Sequence, residues 1–509
     1  MKLRRNALVA GAVALALLLS GCVSSYVPPA ASSSSEPTGE KVAADLQPFY
    51  GQVLRWTSCD SGFQCATATA PLDWANPTKA TISLALIRKP ATGTSKGSLL
   101  VNPGGPGASG VDFVKTSLTY AADAKLRANY DIVGFDPRGA GSSTAIKCYT
   151  NPADLDAFLY DILPGTIGSD QWIAENNAQD AAFGSGCQNL TGPLLGLVDT
   201  NSAARDLDML RAALGDKKLD YLGYSYGTLL GATYANLFPK KTGRLVLDGA
   251  IDPATTDFEV TETQAKGFEN AMRAYLAYCL ANSKCPFTGT VEDGMAKVRR
   301  ILTELNTNPI TNSDGRVLGS ATMFSAIILP LYSQSNWPYL NQLFTDVDNG
   351  SAAIAFELAD SLNGRKSDGS YSDNSEEAFL AINCLDYKPT ATTPAEEQAQ
   401  AAELVKVAPT FGPEMAWGFT CASWPYEATR DRVAIHAKGA APILVVGTTN
   451  DPATPYVWAQ NLAKELDSGH LITRKGDGHT GYNKGNSCVD NAVDSFFVSG
   501  TVPSSDPHC

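Results

Sequence analysis

The segment from residue 219 to residue 238 constrains the fold of this chain more narrowly than any other. A short apolar strand over 219–222 leads into Gly223-Tyr224-Ser225-Tyr226-Gly227, and a helix is predicted over 228–238. A strand that turns directly into a helix needs small residues two positions before and two positions after the residue at the turn, and the two glycines supply them. The turn then projects the Ser225 hydroxyl above the edge of a sheet, with a strained backbone.

Strands alternate with helices on both sides of this turn. The alternation and length of the apolar runs predict strands over 81–88, 98–102, 130–135, 219–224, 244–247, 443–447 and 471–474, and helices over 201–214, 455–466 and 489–498. This order predicts an α/β fold with a mostly parallel sheet and helices on both faces. The alternation stops between about 252 and 440, where we expect a helix-rich insertion that covers the sheet as a cap.

The N-terminus has the pattern of an export signal. Lys2, Arg4 and Arg5 precede an apolar run over 7–19 that is too short to span a bilayer. The run ends in Leu19-Ser20-Gly21-Cys22, which resembles a bacterial lipobox. We therefore expect a lipoprotein signal peptide over 1–21, lipidation of Cys22 and a flexible Ser/Pro/Ala-rich tether over 22–45. The protein would then be lipid-anchored to the outer face of the cell membrane or secreted, with an ordinary signal peptide as the alternative.

The cysteines fit an exported chain. Eleven cysteines minus Cys22 leave ten, and an even set in an exported protein predicts a disulfide framework. The sequence does not give the connectivity. Pairing along the chain is the simplest hypothesis, and it joins Cys59–Cys65, Cys148–Cys187, Cys279–Cys285, Cys384–Cys421 and Cys488–Cys509. No CxxC, HExxH or paired-histidine spacing appears, so we expect no metal site.

Charge and histidine content limit the function. The 39 basic and 52 acidic residues give a net charge of -13, whereas a nucleic-acid binder normally has a basic surface. A serine hydroxyl needs a base within hydrogen-bond reach before it can attack a substrate. Four histidines are available, and His479 follows the strand over 471–474 in a glycine-flanked loop, at the edge where such sites lie. His470 begins that strand, His436 lies at the cap exit, and His508 is next to the terminus. We therefore predict Ser225 as the nucleophile and His479 as its base.

The acid that orients this base is predicted to be Asp451. It follows the strand over 443–447, and its role would be to hold the imidazole tautomer and stabilise the imidazolium. Asp248 and Asp252, just after the strand over 244–247, are rivals, and Asp477 is too close to His479 along the loop to face its ring easily. The nearby Thr454 is expected to cap the following helix, with a hydrogen bond that supports Asp451 as the alternative.

Two backbone N–H groups are needed to bind a developing oxyanion. The residue after the nucleophile, Tyr226, supplies one, and the glycine-rich loop over 102–107 should supply the other. Gly105 is the preferred second donor, with Gly104 as the alternative.

The same loop mimics a dinucleotide-binding fingerprint, because residues 105–110 satisfy G-x-G-x-x-G after a strand. Pro103 and Pro106, however, lack the N–H groups that would cradle a pyrophosphate. An exported protein also meets little dinucleotide. We expect no cofactor.

Four motifs occur in an order that resembles the exported tripeptidyl aminopeptidases of actinobacteria, relatives of proline iminopeptidases with the α/β-hydrolase fold. They are Asn-Pro-Gly-Gly-Pro-Gly over 102–107, Asp-Pro-Arg-Gly-x-Gly-x-Ser over 136–143, Gly-Tyr-Ser-Tyr-Gly-Thr over 223–228, and the late Asp451 and His479 loops. Proline iminopeptidases usually carry histidine at the position of Asn102. The alternation of elements divides the chain into core residues 46–252, a cap over 253–435 and a C-terminal part of the core over 436–509, and the last part, about 410–509, resembles the C-terminal domain of this family. Asp136 and Arg138 are expected to form an ion pair that fixes the loop beside the site, with a direct role in substrate binding as the alternative.

The resemblance implies hydrolysis of peptides from a free N-terminus through an acyl-enzyme on Ser225. Binding that N-terminus requires a buried carboxylate for the ammonium, and the candidates in the cap are Asp386, Glu377 and Glu376. A peptide is then the partner, the membrane is contacted only through a lipid at Cys22, and a monomer is favoured. An exported carboxylesterase or lipase with the same triad is the first alternative, because a fold does not fix a substrate. A binding lipoprotein without catalysis is the more remote one.

Overall fold

The computed structural model describes residues 33–509, so the predicted signal peptide over 1–21 and Cys22 lie outside the described residues. A ten-stranded sheet runs through this part of the chain in the order β1-β2-β3-β4-β6-β5-β7-β8-β11-β12, and β9 and β10 form a separate hairpin. The strands are β1 (Ser33–Ser34), β2 (Arg55–Asp60), β3 (Phe63–Pro71), β4 (Thr81–Lys89), β5 (Ser98–Asn102), β6 (Asp131–Phe135), β7 (Leu219–Tyr224), β8 (Thr242–Asp248), β9 (Ile310–Thr311), β10 (Val317–Leu318), β11 (Ile443–Asn450) and β12 (Gly469–Asp477).

The half of the sheet from β6 to β12 is parallel, which confirms the predicted α/β-hydrolase fold class. Neighbouring strands pair in parallel from β6 through β5, β7, β8 and β11 to β12, whereas β1 to β4 are antiparallel and β4 joins β6 antiparallel. Parallel strands bring all their carboxyl ends to one edge of the sheet, and ligands bind outside this edge in open α/β sheets. The turns after β5, β7, β8, β11 and β12 therefore meet there.

Helices cover both faces of the sheet. They are α1 (Gln47–Tyr50), α2 (Gly110–Ala121), α3 (Ala124–Asn129), α4 (Pro152–Tyr160), α5 (Asp170–Thr191), α6 (Thr200–Leu214), α7 (Tyr226–Leu237), α8 (Asp257–Leu280), α9 (Val291–Leu305), α10 (Ser320–Leu331), α11 (Trp337–Asp348), α12 (Ala353–Leu362), α13 (Ser375–Asp386), α14 (Pro394–Val407), α15 (Gly412–Met415), α16 (Tyr456–Glu465) and α17 (Ser487–Ser499). Successive strand residues point to opposite faces, so Leu99 packs with α2, α3 and α17 while Leu100 packs with α6 and α7.

The predicted insertion forms a helical cap with a core of its own. Apolar residues of α8 to α12 make a second buried cluster, which also includes Tyr160 of α4. Helix α4 is tied to the cap by the ion pair between Asp156 and Arg365, at 2.7 Å. Helix α13 differs, because its buried residues, such as Ala378 and Ile382, belong to the core cluster on the face of the sheet that α6 and α7 cover. The cap sequence therefore supplies one helix that packs directly on the core.

The structure differs from the tether that we expected over 22–45. Ser33 and Ser34 pair with β2, and the Thr38 N–H donates to the Ala212 carbonyl at 2.9 Å. Glu40 accepts hydrogen bonds from Arg211 at 2.6 Å and from Lys241 at 2.9 Å. Residues from 33 onward therefore belong to the folded unit, because backbone pairing and a buried guanidinium attach them to it.

The expected ion pair between Asp136 and Arg138 is also wrong. Arg138 instead donates from Nε and Nη2 to both oxygens of Asp206, each at 2.6 Å, and the side chain is fully buried. Asp136 accepts from the Ser109 hydroxyl at 2.6 Å and from backbone N–H groups on either side of it. Two separate buried networks thus hold the loop, because Arg138 points toward α6 and Asp136 toward α2.

Disulfide bonds join Cys59–Cys65, Cys148–Cys187, Cys279–Cys285, Cys384–Cys421 and Cys488–Cys509. Between residues 33 and 509, no helix has both the length and the apolar character needed to cross a bilayer.

The buried ion pair between Arg138 and Asp206 should contribute strongly to the stability of the fold. Arg138→Met leaves the Asp206 carboxylate buried without its partner, and such a loss costs about 3–5 kcal/mol. We expect the free energy of unfolding in urea to fall by that amount. Arg300→Met is the matched control, because Arg300 pairs with Glu304 on the surface, with both side chains 61% exposed, and should change stability by less than about 1 kcal/mol. Equal effects of the two substitutions would contradict the prediction.

Candidate active site

Ser225 occupies the turn between β7 and α7, with φ +54° and ψ -124°. Positive φ is rare for residues other than glycine, and such strain is concentrated at functional sites. The turn is held by the Ser225 N–H, which donates to the Asp248 carbonyl at 2.9 Å. A Cβ on Gly223 would lie 2.3 Å from the carbonyl oxygen of Gly227, so the close approach of strand and helix requires a glycine there.

The glycine-rich loop after β5 lies directly against this turn. A Cβ on Gly104 would come within 2.9 Å of the Ser225 Cβ and 3.1 Å of the Tyr226 backbone nitrogen. The Gly104 N–H donates to Asn102 Oδ1 at 3.0 Å, so the residue that departs from the proline iminopeptidase pattern shapes this loop. Within residues 33–509, the N–H groups of Gly105 and Tyr226 have no acceptor. Because the Gly104 N–H already has an acceptor, the Gly105 N–H is the better candidate for the second oxyanion donor.

Asp451 and His479 are in direct contact. His479 Nδ1 lies 2.9 Å from both carboxylate oxygens of Asp451, which is almost completely buried. The Asp451 carboxylate also accepts N–H groups from Ala453, Thr454 and Thr480 at 2.9–3.0 Å. These donors fix the carboxylate, and the carboxylate in turn fixes the tautomer and orientation of the imidazole ring.

Thr454 does not cap the next helix as we expected. Helix α16 begins after Pro455 and has no side-chain cap, since its N-cap residue is that proline. The Thr454 hydroxyl instead lies 3.1 Å from Asp451 Oδ2 and 3.2 Å from His479 Nδ1. The Thr454 hydroxyl therefore contacts both Asp451 and His479.

The turn after β8 lies between the Ser225 turn and the His479 ring. Asp248 accepts the Ser225 N–H, and a Cβ on the next residue, Gly249, would lie 3.1 Å from His479 Cε1. The lack of a side chain at Gly249, with φ +69°, leaves space for the imidazole beside the strand that carries Ser225. The Ser225 turn and the contacting pair of Asp451 and His479 thus lie at the same carboxyl edge of the sheet.

The rival acids bind other groups. Both oxygens of Asp248 accept backbone N–H groups of Gly481 and Tyr482. Asp252 accepts from the Ala254 N–H and the Asn461 side chain, and Asp477 accepts from the Asn450 side chain at 2.9 Å. Among the acids considered from the sequence, Asp451 is the one whose carboxylate contacts the His479 ring.

Known proteins resemble this chain along its whole length. A family profile described as "TAP-like protein" matches residues 408–509, and one described as "alpha/beta hydrolase fold" matches residues 97–291. "Serine protease Hip1" of Mycobacterium tuberculosis is 34% identical, over 100% of this chain and 98% of that protein. The chain belongs to the tripeptidyl aminopeptidase family of α/β hydrolases. It is therefore a serine hydrolase, as the sequence motifs predict.

Two other members of this family carry different names. "Tripeptidyl aminopeptidase" of Streptomyces lividans is 31% identical, over 98% of this chain and 96% of that protein. "Carboxylesterase B" of Mycobacterium tuberculosis is 37% identical, over 99% of each chain. Because proteins named for peptide cleavage and for ester cleavage both resemble this chain, similarity alone does not choose between the two substrates.

The three acids considered for a substrate N-terminus have different surroundings in this family member. Asp386 accepts hydrogen bonds from the backbone N–H and the hydroxyl of Thr200, and Glu377 accepts the Cys148 N–H at 2.7 Å. Glu376 has no hydrogen-bond partner between residues 33 and 509. Burial, with a smaller contribution from the charge of Asp373, raises the pKa of Glu376 to about 7.

Glu376 lies in the first turn of α13, the helix that packs on the glycine-rich loop. A Cβ on Gly107 would lie 2.7 Å from the Ala378 Cβ and 2.9 Å from the Ser375 carbonyl oxygen, so the first turn of α13 rests on the loop beside Ser225. The unpaired carboxyl of Glu376 is therefore close to the candidate site, whereas Glu377 and Asp386 already hold backbone groups of the fold.

Tyr332 is a site residue that sequence reasoning missed. It follows α10 in the cap, its carbonyl accepts the His479 N–H at 2.8 Å, and its ring packs edge-on against the imidazole at 5.3 Å. Burial raises its pKa to about 12, and the charges of Asp451 and Glu376 add to this effect. No motif marks a cap residue of this kind.

The contact between Gly104 and the Ser225 turn gives a test. Gly104→Ala places a methyl group against Ser225 and Tyr226, and misplacing a nucleophile by about 1 Å costs about 100-fold in rate. Gly315→Ala is the control, because Gly315 has a similar positive φ of +90° but no atom within 4 Å of the added Cβ. We expect kcat for substrate hydrolysis to fall by about 100-fold in Gly104→Ala and to remain within about two-fold of the wild type in Gly315→Ala. Wild-type activity of Gly104→Ala would contradict the close contact.

Proposed function

We propose that this protein is a serine peptidase that cleaves peptides from a free N-terminus, with Ser225 as nucleophile, His479 as general base and Asp451 as the acid that orients it. The observation that carries the proposal is the 2.9 Å contact between Asp451 and His479 Nδ1 at the sheet edge where Ser225 occupies a strained turn. Relatives named as a serine protease and as a tripeptidyl aminopeptidase support a peptide as the substrate.

In the proposed reaction His479 Nε2 takes the proton from the Ser225 hydroxyl as its oxygen attacks the scissile carbonyl. Asp451 keeps the Nδ1 proton in place and stabilises the imidazolium that forms. The N–H groups of Tyr226 and Gly105 donate to the oxyanion, and each such donor is worth about 100- to 1000-fold in rate. His479 then protonates the leaving amine. In the second half of the reaction His479 takes a proton from water as the water oxygen attacks the acyl-enzyme, and it returns that proton to the Ser225 oxygen as the acid product leaves.

We propose Glu376 as the group that binds the substrate ammonium. Its carboxyl is half-buried beside the glycine-rich loop and has no hydrogen-bond partner among residues 33–509, and an ammonium would supply the missing opposite charge. Glu377 and Asp386 are weaker candidates, since a substrate would have to compete with the backbone groups they already bind.

Export is part of the proposal. The lipobox-like segment ending at Cys22 and the disulfide bonds support a protein outside the cytoplasm, either anchored to the membrane by a lipid on Cys22 or secreted. A peptide is the proposed partner, and the chain is proposed to act as a monomer without a cofactor.

Ester hydrolysis is the second candidate. The relative named "Carboxylesterase B" is 37% identical to this chain, and the same triad and oxyanion donors serve ester cleavage. The half-buried Glu376 carboxyl favours a peptide, because it offers an opposite charge to an ammonium and a simple ester has none.

The first test compares a tripeptidyl p-nitroanilide with a short-acyl p-nitrophenyl ester. We expect turnover of both, with the higher kcat/KM for the peptide, and Ser225→Ala should reduce kcat for each by about 10⁶-fold. Ser61→Ala on the exposed β2–β3 turn serves as the control and should match the wild type. Ester turnover without peptide cleavage would reverse the order of the two candidates, and full activity of Ser225→Ala would reject both.

The second test uses the pKa of Glu376. The charged fraction of its carboxyl rises as the pH increases through about 7, so it should bind an ammonium more strongly at pH 8 than at pH 6. A charged hydrogen bond is worth about 1.5–3 kcal/mol, which is about 10- to 100-fold in affinity. We expect Glu376→Gln to lower kcat/KM for the tripeptidyl substrate by this factor at pH 8, but much less at pH 6, and to leave cleavage of an N-acetylated analogue unchanged.

Two further variants serve as controls for this test. Glu377→Gln and Asp386→Asn remove the other candidate charges, and each should change kcat/KM for the tripeptidyl substrate and for its N-acetylated analogue by the same factor at pH 8. A loss confined to the substrate with a free N-terminus in either of these variants, with none in Glu376→Gln, would assign the ammonium site to that residue instead.

A further inference from the structure

The loop that carries His479 is held by its own backbone. The five successive N–H groups from 479 to 483 all have acceptors: Tyr332 O at 2.8 Å, Asp451 Oδ2 at 3.0 Å, Asp248 Oδ1 at 2.7 Å, Asp248 Oδ2 at 2.8 Å and Asp490 Oδ1 at 2.7 Å. Thr480 and Asn483 have positive φ, at 69° and 58°. Asparagine tolerates this conformation, but the β-branched Thr480 adopts it only where the surroundings impose it, and the carboxylates supply that constraint.

Asp248 is the acceptor that reaches both parts of the candidate site. The residue is completely buried, and its two carboxylate oxygens bind the consecutive N–H groups of Gly481 and Tyr482. Its backbone carbonyl accepts the Ser225 N–H at 2.9 Å. One residue at the end of β8 therefore contacts the nucleophile turn through its backbone and the base loop through its side chain.

We propose that Asp248 is a positioning residue that fixes the His479 loop relative to the Ser225 turn. The inference rests on the proposed roles of Ser225 and His479. It gives Asp248 a task different from that of Asp451, because Asp451 contacts the imidazole ring and Asp248 contacts the loop backbone two and three residues further on. It also explains why an acid stands there, since two N–H groups that point at one side chain require two acceptor oxygens.

The charge on Asp248 depends on its surroundings. Burial raises its pKa to about 6, while the N–H groups of Tyr482 and Gly481 and the positive charges of His479 and Lys484 oppose this rise. The Tyr224 ring, on the adjacent strand β7, is the other titratable group that faces it. Above pH 6 the carboxylate accepts both N–H groups. As the pH falls below 6, one oxygen becomes a hydroxyl and ceases to be a good acceptor, so the loop loses part of its support.

Asp248→Asn tests the proposal, because the amide places an NH₂ group against one of the two loop donors. We expect kcat for the tripeptidyl p-nitroanilide to fall by about 100-fold at pH 8, as for a misplaced base, with KM within about two-fold of the wild type. The variant also has no carboxyl that titrates near pH 6, so the acid limb of the kcat/KM profile should move to lower pH. A residue that only stabilised the fold would not shift this limb.

Asp252→Asn is the matched control. Asp252 is also buried after β8, but its carboxylate binds Ala254 and Asn461 rather than the His479 loop. We expect its kcat to remain within about three-fold of the wild type and its pH profile to be unchanged. Wild-type kcat and profile in Asp248→Asn would overturn the inference, and so would a loss confined to KM. Full activity of Ser225→Ala in the same assay would instead refute the proposed function itself.

A measurement on the unaltered protein covers the case in which Asp248→Asn does not fold. Hydrogen exchange of the Gly481 and Tyr482 amides, corrected for the intrinsic effect of pH, should show protection that falls between pH 7 and pH 5. The Thr473 amide, which donates to the Pro507 carbonyl, should keep its protection over the same range. Constant protection of Gly481 and Tyr482 down to pH 5 would contradict the role of the Asp248 carboxylate.

Discussion

Buried carboxylates that accept backbone N–H groups determine the shape of the sheet edge on which the candidate site depends. Asp136, Asp248 and Asp451 each lie near the end of a parallel strand, are almost completely buried, and accept at least two backbone N–H groups of adjoining loops. Loops at such an edge have no ladder partners, and a buried N–H without an acceptor is costly. The acids supply the acceptors, so loops with strained residues such as Ser225 and Thr480 keep one conformation.

Two segments of the cap also contact the candidate site. Tyr332 brings the end of α10 onto the His479 N–H and ring, and α13 rests on the glycine-rich loop with Glu376 in its first turn. The base thus contacts both the sheet and the insertion. This arrangement gives the insertion two proposed tasks, which are to hold the base and to bind the charged end of the substrate. It also accounts for α13, which belongs to the cap sequence but packs on the core.

The sequence predicts what depends on local pattern. The parallel strands and the turn at Ser225 follow from apolar runs and from glycines at fixed offsets, and the parallel sheet brings the loops of Asp451 and His479 to one edge. Contacts between distant segments leave no such pattern. The partner of Arg138 is on α6 rather than in its own turn, Tyr332 reaches His479 from the cap, and Glu40 attaches an apparent linker to Arg211. Asp248 and Asp451 both follow strands, so only their contacts distinguish a loop support from an acid that orients the ring.

The most direct test of the account is to locate the activated serine chemically. The purified protein would be treated with a fluorophosphonate, digested and mapped by mass spectrometry, in parallel with His479→Ala. The account predicts a single modified serine, on the peptide that contains Ser225, and labelling at least about 100-fold slower in the variant, because the hydroxyl then lacks its base. Modification of a different serine, or equal labelling rates in the two proteins, would contradict the claim that Ser225 is activated by His479.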